Sequence, residues 1–323
     1  MPQLPHFPDL DGVAPLPHLG VIRAFGEDAA NFLHNQLTQD VLLMKADQCH
    51  LGAFCNAKGR MQASFVYFKP NPNEVLLVCR RDLIAQTVKR LSMFVLRAKV
   101  KLTDATADFH LFGLAGKSLE SVLSGIAQES SPPEISLNQA WSCIPWASEQ
   151  AHILTLYPAM EQPRALLLAA STPNLSAYPS MDVALWQLGE VMSGIAWVEQ
   201  ATFEAFVPQM LNYESVDGVN FKKGCYPGQE VVARSQFRGT LKRRAYVVQS
   251  DGAIAAGQEI FTSDATDQPS GLVAQVATLS DQTYAIVELQ TTAVDEKKSL
   301  HVGTSAGLQL HVLPLPYVLR DDI

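Results

Sequence analysis

The sequence predicts an α+β protein made of two mixed units followed by a C-terminal antiparallel β-barrel. Up to about residue 115, strand-like runs alternate with amphipathic helical stretches and a hairpin. Two loops rich in serine and proline, 129–134 and 171–180, flank a second region of the same kind. After residue 242 the chain changes to short β-type runs, a pattern typical of a small barrel.

The elements of the two mixed units follow from local patterns. A strand at 18–25 leads into a helix at 26–41, which begins near Asp28 and carries one apolar stripe. In the second unit, a helix at 181–193 ends at Gly194. The elements expected between these are a hairpin at 51–68 that turns at 56–59, a strand at 75–79, a helix capped by Asp82 and reaching residue 95, a strand at 98–102 and a strand at 109–115.

Length and composition predict the domain organisation. The 323 residues, 47% hydrophobic and 17% charged, are typical of a globular protein of about two domains. We expect an extended N-terminal arm at 1–17, two α+β subdomains at 18–240 and the barrel at 241–323, with strands at 245–249, 259–262, 272–279, 284–289 and 308–313. No secretory signal or membrane-spanning run is apparent, and five irregularly spaced cysteines indicate reduced thiols, so we predict a cytoplasmic protein.

The segment with the clearest chemical pattern is KGCYPGQE, which begins at Lys223 and follows Lys222. Neighbouring cations stabilise a thiolate and can lower a cysteine pKa from about 8.5 to as low as ~3.5–7.5. We therefore predict that Cys225 is reactive and that Lys223 assists it. Gly224 is expected to take a positive φ, and the Pro-Gly pair that ends at Gly228 suits a type II turn. The alternative is a buried cysteine that packs as a small hydrophobe.

Positive charge is concentrated around this segment. Between residues 222 and 244 there are seven Lys or Arg and one acid, Glu230, although the whole chain has 24 basic and 32 acidic residues. A discrete anionic ligand or a local RNA contact suits such a segment better than a surface that coats nucleic acid. A solvated strand edge protected by cations is the other interpretation. Because few aromatic residues interleave with the cations, we expect weak or no direct nucleic-acid binding.

Several longer motifs occur together in the chain: CNAKGR at 55–60, FVPQ at 206–209, the KGCYPGQE segment, VAR at 232–234, RG at 238–239 and LPLPY at 313–317. Together they resemble the YgfZ family of folate-binding proteins, and the resemblance covers nearly the whole chain apart from 104–180. The resemblance implies the fold of the glycine-cleavage aminomethyltransferase (T-protein), with folate at its centre. It also implies maintenance of iron–sulfur enzymes, particularly those that methylthiolate tRNA, with Cys225 as the essential side chain.

The resemblance assigns folate contacts. Trp186 matches the family's tryptophan on the helix before the motif loop, and its indole could stack on the pterin, although a core role is equally open. At the position of the family's second folate-associated tryptophan, this chain has Leu19 instead. From charge alone, Arg234 or Arg238 could face the glutamate carboxylates of tetrahydrofolate or its polyglutamate form.

Catalysis of the aminomethyl-transfer type is not expected. Aminomethyltransferases carry an acidic pair in the hairpin after the glycine turn, where this chain has Ala63 and Ser64. Without a carboxylate there, transfer loses a general acid–base contribution of about 10²–10⁴ in rate.

Three hypotheses follow for the function. The first is a folate-binding accessory factor that helps to assemble or repair clusters in client enzymes, together with cluster assembly proteins, and holds no stable metal itself. The second is a folate-dependent one-carbon transferase with Cys225 as nucleophile, which needs a base near the thiol. The third is an RNA-binding module. The remaining loop residues are Lys222, Gly224, Tyr226, Gly228, Gln229 and Glu230; the last two either bind ligand or cap the segment after the turn.

Overall fold

Two five-stranded antiparallel sheets and a closed six-stranded barrel make up the fold. The structure is a computed structural model that describes residues 7–129, 140–237, 241–264 and 268–320. The strands are β1 (Gly12–Pro15), β2 (Leu19–Phe25), β3 (Cys49–Cys55), β4 (Met61–Asn71), β5 (Glu74–Arg80), β6 (Lys101–Asp104), β7 (His110–Ala115), β8 (Cys143–Trp146), β9 (Ala151–Ala159), β10 (Gln162–Ala169), β11 (Arg243–Ser250), β12 (Glu259–Thr262), β13 (Gly271–Leu279), β14 (Gln282–Gln290), β15 (Leu300–Val302) and β16 (Leu308–Leu313). The α-helices are α1 (Ala29–His34), α2 (Ile84–Ser92), α3 (Gly116–Glu129), α4 (Val183–Met192), α5 (Gln229–Phe237) and α6 (Thr291–Asp295).

The first sheet has the order β3-β4-β5-β2-β6 and forms most of the main core. Its central strands are almost continuously apolar; Phe65, Tyr67 and Leu77, for example, are fully buried. The predicted hairpin turn at 56–59 is confirmed, since the amide of Asn56 donates to the carbonyl of Arg60 and Gly59 has a φ of 72°. This turn lies beside the loop that carries Cys225.

Helix α1 is shorter than predicted. It ends at His34 instead of continuing to Val41, because the chain beyond Asn35 leaves the helix to pair with β3: the amide of Thr38 donates to the carbonyl of Ala53. The apolar positions predicted to face the core are nevertheless buried, including Leu37 and Val41.

Two further predictions for the first unit are wrong. Asp82 does not cap α2; its carboxylate accepts a hydrogen bond from the amide of Gln200 instead, and a short 3₁₀ turn precedes the helix. The strand expected at 98–102 is displaced to β6, because the amide of Lys99 bonds to the carboxylate of Asp28 before pairing with β2 begins.

The second sheet has the order β1-β7-β10-β9-β8, and α3 packs on it. The N-terminal segment, predicted as an extended arm, contributes β1 to the edge of this sheet, where Val13 pairs with Leu114. Leu10, just before β1, is fully buried against the main core. Residues 12–15 are therefore part of the second sheet, and the residues just before them pack on the main core.

Helix α4 crosses from the second sheet to the barrel. Asp182 caps it by accepting a hydrogen bond of 2.8 Å from the amide of Ala184, and Gly194 ends it with a φ of 69°. The helix contacts β13 and β14. Its buried side chains, Trp186 and Glu190, consequently lie where the two sheets and the barrel meet.

The barrel closes in the order β11-β14-β13-β12-β15-β16. All five predicted strands are present, whereas the short strand β15 and helix α6 were not predicted from the sequence. One buried ion pair connects the barrel to the rest of the chain: the guanidinium of Arg244 on β11 lies 2.7 Å from the carboxylate of Glu214. The α+β class with a C-terminal barrel is confirmed.

Candidate functional site

A type II turn holds the loop of Cys225 against the β3–β4 hairpin. The amide of Gln229 donates to the carbonyl of Tyr226, and Gly228 has a φ of 80°, as this turn requires. A Cβ at Gly228 would meet the carbonyl oxygen of Asn56 and lie 2.6 Å from the Cα of Gly59. Only glycine fits there. The prediction for Gly224 is wrong, because its φ is not positive.

The ammonium of Lys223 is directed into the protein. It donates to the carbonyl of His34 and, at 2.6 Å, to that of Leu37, so that it occupies the C-terminal end of α1. It also lies 4.8 Å from the ring centroid of Tyr226, which is buried. Burial lowers the pKa of Lys223 to about 8, although the charges of Asp40 and Cys225 act in the opposite direction.

Cys225 is exposed, whereas the other four cysteines are buried. Burial raises the pKa of Cys49, Cys55 and Cys79 well above the ordinary thiol value, and raises that of Cys143 to about 12. Cys225 is therefore the thiol that solvent, a metal or a partner can reach.

We expect one thiol per chain to react with iodoacetamide in the native protein and five after denaturation, because only Cys225 is accessible. Mass spectrometry of the intact protein counts the added groups. Cys225→Ser should leave no reactive thiol in the native state. Fast labelling of two or more thiols in the native wild type would contradict this arrangement.

His34 was not identified from the sequence, yet it borders the motif loop. Its Nε2 would lie 3.6 Å from a Cβ placed at Gly224, and its Nδ1 lies 3.6 Å from a carboxylate oxygen of Asp40. Burial and the charge of Lys223 lower the pKa of His34, so the neutral imidazole is favoured at neutral pH. The long separation in sequence between His34 and the loop explains why no local pattern indicated it.

A narrow cavity lies at the junction of the two sheets and α4. Its volume is about 30 Å³. The lining combines two buried charges, Arg164 and Glu190, with aromatic and apolar walls; the other lining residues are Leu51, Val66, Trp141, Leu156, Tyr157, Ser193, Ile195, Ala196, Trp197 and Tyr213. Aromatic walls with a few buried polar groups are typical of small-molecule sites.

The two charged residues of this cavity differ in how completely they are hydrogen-bonded. Glu190 accepts hydrogen bonds from Trp186 Nε1 at 3.0 Å and Gln275 Nε2 at 3.3 Å, and its carboxylate lies 3.2 Å from His18 Nε2. Burial raises the pKa of Glu190, but His18 and nearby arginines outweigh it, so the pKa lies below its ordinary value. Arg164 bonds to the carbonyl of Tyr157, but its Nη1 is buried without a partner among the described residues.

The two residues matched to the family's tryptophans do not line this cavity. Trp186 is fully buried and does not line it; the guanidinium carbon of Arg164 lies 5.2 Å from the centroid of its ring, and Gly113 is so close that a Cβ there would overlap the indole. Leu19 is buried on β2 and is also absent from the lining. Trp186 thus contacts the two charged lining residues without forming a wall.

The cations of 222–244 do not form one surface. Lys223 and Arg244 are buried, and Arg243 is paired with Glu288 at 2.9 Å. Arg234 pairs with Glu230 at 2.6 Å on the exposed side of α5. Lys222 is exposed, and Arg238 lies outside the described residues. None of the described members of this group lines the central cavity.

The two positions that correspond to the acidic pair of the aminomethyltransferases carry no carboxylate and are buried. Ala63 and Ser64 are buried on β4, and the Ser64 hydroxyl accepts a hydrogen bond from the amide of Val198. Among the residues that the structure describes, no cluster of three or more His, Cys, Asp or Glu could hold a metal ion. No helix in the described ranges is long and apolar enough to cross a membrane.

Comparisons with known proteins agree with the motifs and the fold. The family model for the GCVT N-terminal domain matches residues 12–142. The tRNA-modifying protein YgfZ of Photobacterium profundum is 29% identical over 310 residues, which cover 94% of this chain and 90% of that protein. The protein of the same name from Sodalis glossinidius is 28% identical over 306 residues, with 92% and 90% covered.

The fold matches a solved structure as well. Aminomethyltransferase T of the glycine cleavage system from Bartonella henselae superposes with a TM-score of 0.68 at 14% identity, over 95% of this chain and 86% of that one. The resemblance drawn from the motifs is therefore confirmed: the chain is similar to the YgfZ proteins over more than nine-tenths of its length, and it has an aminomethyltransferase-type fold.

Proposed function

We propose that this protein is a folate-binding accessory factor that supports the assembly or repair of iron–sulfur clusters in client enzymes, including enzymes that modify tRNA. The observation that carries the proposal is the exposure of Cys225 on a loop fixed by Gly228, while the other four thiols are buried. The name of the relatives, tRNA-modifying protein YgfZ, supports the connection to tRNA.

The thiol would act as one ligand among several. Iron–sulfur clusters are normally held by four cysteine thiolates. Cys225 would lose its proton to solvent and bind one iron, while the client or an assembly protein supplies the remaining ligands. Such a cluster is shared and transient, and the protein needs no stable metal site.

Folate is proposed for the central cavity on chemical grounds. The Nη1 of Arg164, which has no partner among the described residues, can donate to the pterin carbonyl, and the carboxylate of Glu190 can accept from the ring N–H and amino group. The cavity volume of about 30 Å³ is well below the roughly 300–1,000 Å³ of typical ligand pockets. Binding therefore requires the walls to move, and the half-buried Trp141 and Tyr157 are placed to do so.

Glu190→Gln is expected to weaken tetrahydrofolate binding about 10–100-fold, because a hydrogen bond to a charged group contributes about 1.5–3 kcal/mol. Isothermal calorimetry measures the dissociation constants. Glu259→Gln, an exposed position on β12, is the matched control and should bind as the wild type does. No binding by the wild type, or equal binding by both variants, would remove folate from this cavity.

The role in cluster maintenance is tested by deleting the gene and measuring methylthiolated adenosine in tRNA together with the activity of one cluster-dependent dehydratase. Both should fall and both should return when the wild-type gene is restored. If neither changes in the deletion strain, the maturation role is refuted, whatever the folate measurement shows.

A second candidate function is favoured by the position of His34. A folate-dependent one-carbon transferase with Cys225 as nucleophile needs a base, and the neutral imidazole beside Gly224, with Asp40 behind it, is one. Formaldehyde release or methyl transfer from a substituted tetrahydrofolate, abolished by Cys225→Ala and by His34→Gln, would establish it. The absence of such turnover leaves the accessory role in place.

A further inference from the structure

An open groove runs along the C-terminal half of α2, and we name it the α2 groove. Its volume is about 220 Å³, and its lining includes Phe54, Thr87, Met93 and Phe203. Next to it is a wider hollow of about 730 Å³ around the hairpin turn, lined by Asn56, Ala57, Lys58, Arg60, Arg90, Glu204 and Ala205. Because Arg90 borders both, the apolar groove and the polar hollow form one continuous concave surface.

The rim of this surface carries an excess of positive charge. Lys58, Lys89 and Arg90 are exposed, and among the described residues no carboxylate lies within 4.0 Å of any of them. The hollow contains one carboxylate, Glu204, which accepts a hydrogen bond from Gln62 Nε2 at 2.6 Å and whose negative charge also acts on Arg90 and Lys58, so that three exposed cations face one acid. In a chain with a net charge of -8, this concentration favours acidic ligands.

Exposed apolar side chains continue from Met93, at the edge of the groove, to residues outside its lining. Met93, Phe94 and Leu96, just after α2, are 67%, 44% and 88% exposed. Phe94 meets Phe54 of the groove edge-on, with ring centroids 6.3 Å apart. Contiguous exposed apolar residues next to charges mark protein-binding surfaces more often than small-molecule pockets, which are enclosed.

The surface also adjoins the loop of Cys225. The hairpin turn that lines the hollow packs directly on the motif loop, since Gly228 contacts Asn56 and Gly59, and Gly59 contacts Val231. A chain bound in the groove would therefore lie next to the hairpin turn on which the motif loop packs.

We propose that the α2 groove binds an acidic, amphipathic segment of a partner protein. Its apolar side chains would enter between Phe54, Met93 and Phe203, and its carboxylates would meet Lys58, Lys89 and Arg90. Opposite charge at the rim provides selectivity and speeds association, while the apolar contacts provide affinity. Under the proposed function the segment belongs to a client or assembly protein, but the binding itself does not require chemistry at Cys225.

The probe is a random library of 12-residue peptides displayed on phage and selected on the immobilised full-length protein. We expect the selected peptides to be enriched in both Asp/Glu and Leu/Phe/Met. For a synthetic copy of one selected peptide, Arg90→Glu should weaken binding at least tenfold and Met93→Ser at least fivefold. Lys117→Glu, which makes the same charge change on an exposed residue of α3, should leave the affinity unchanged.

Arg90 and Met93 are both exposed, so these variants should keep the circular dichroism spectrum of the wild type. Failure to select any binder, selection of peptides without acids, or equal binding by Arg90→Glu and Lys117→Glu would overturn the proposal. Displacement of the peptide from the groove by tetrahydrofolate triglutamate would also overturn it and assign the groove to a small molecule. Because the readout is affinity, these outcomes are independent of the deletion-strain assay.

Discussion

Gly228→Ala is expected to lower the free energy of unfolding by about 2–5 kcal/mol and to displace the loop that carries Cys225. Part of the loss comes from the backbone: an L-residue in the left-handed region costs about 1–2 kcal/mol, and Gly228 has a φ of 80°. The rest comes from overlap of the new Cβ with backbone atoms of Asn56 and Gly59, which belong to a hairpin fixed in the first sheet. Urea unfolding measures the change.

Two other glycines separate these causes. Gly303 has nearly the same φ, 81°, but no atom of the described residues lies within 4 Å of its Cβ position, so Gly303→Ala should show the backbone cost alone. Gly125 is helical and has no described neighbour within 4 Å of its Cβ position, and Gly125→Ala should stabilise α3 by about 0.5–1 kcal/mol. If Gly228→Ala loses no more stability than Gly303→Ala, the loop is not fixed against the hairpin as described.

Arg244→Met is expected to cost about 3–5 kcal/mol, because it leaves Glu214 as a buried charge without its cation. Arg244 and Glu214 are 8% and 0% exposed at the side chain. The guanidinium also donates to the carbonyl of Arg320 at 3.0 Å, so the variant loses a contact with the C-terminal tail. Because the pair connects the barrel to the main core, both parts should unfold in urea at the same lowered midpoint.

The matched control for this prediction is Lys298→Met, which breaks the exposed pair with Asp264 and should change stability by less than about 1 kcal/mol. Combining Arg244→Met with Glu214→Gln removes the orphaned charge and should recover part of the loss. An Arg244→Met variant as stable as Lys298→Met, or a double variant no better than the single one, would contradict the buried-pair account.

The parts of the fold that the sequence predicted well are those set by neighbouring residues. The β3–β4 hairpin and the barrel strands follow from short alternating runs and turn residues, and the Pro-Gly turn was correctly typed from two residues. Helix α1 was predicted too long, since its apolar stripe continues to Val41 while its backbone after Asn35 bonds to a strand that comes later in the chain. No local pattern contains that information.

In the candidate site, too, the features set by neighbouring residues were predicted and those set by distant contacts were not. The reactive character of Cys225 was predicted from its neighbours, and its exposure agrees with a reactive role. Lys223 was predicted to assist the thiol; its ammonium bonds to carbonyls of His34 and Leu37, 189 and 186 residues earlier in the chain, which no local pattern indicated. The positions of His34 at the loop and of Arg164 and Glu190 in one cavity likewise depend on contacts between distant segments.

The central claim is that the exposed thiol of Cys225 serves cluster maintenance, and restoring a deletion strain with Cys225→Ser tests it most directly. Cys143→Ala, which removes a buried thiol, is the matched control, and both variants must be expressed at the wild-type level. We predict that the wild type and Cys143→Ala restore methylthiolated tRNA and dehydratase activity, whereas Cys225→Ser restores less than a tenth of either. Full restoration by Cys225→Ser would contradict the claim and leave the central cavity as the functional site.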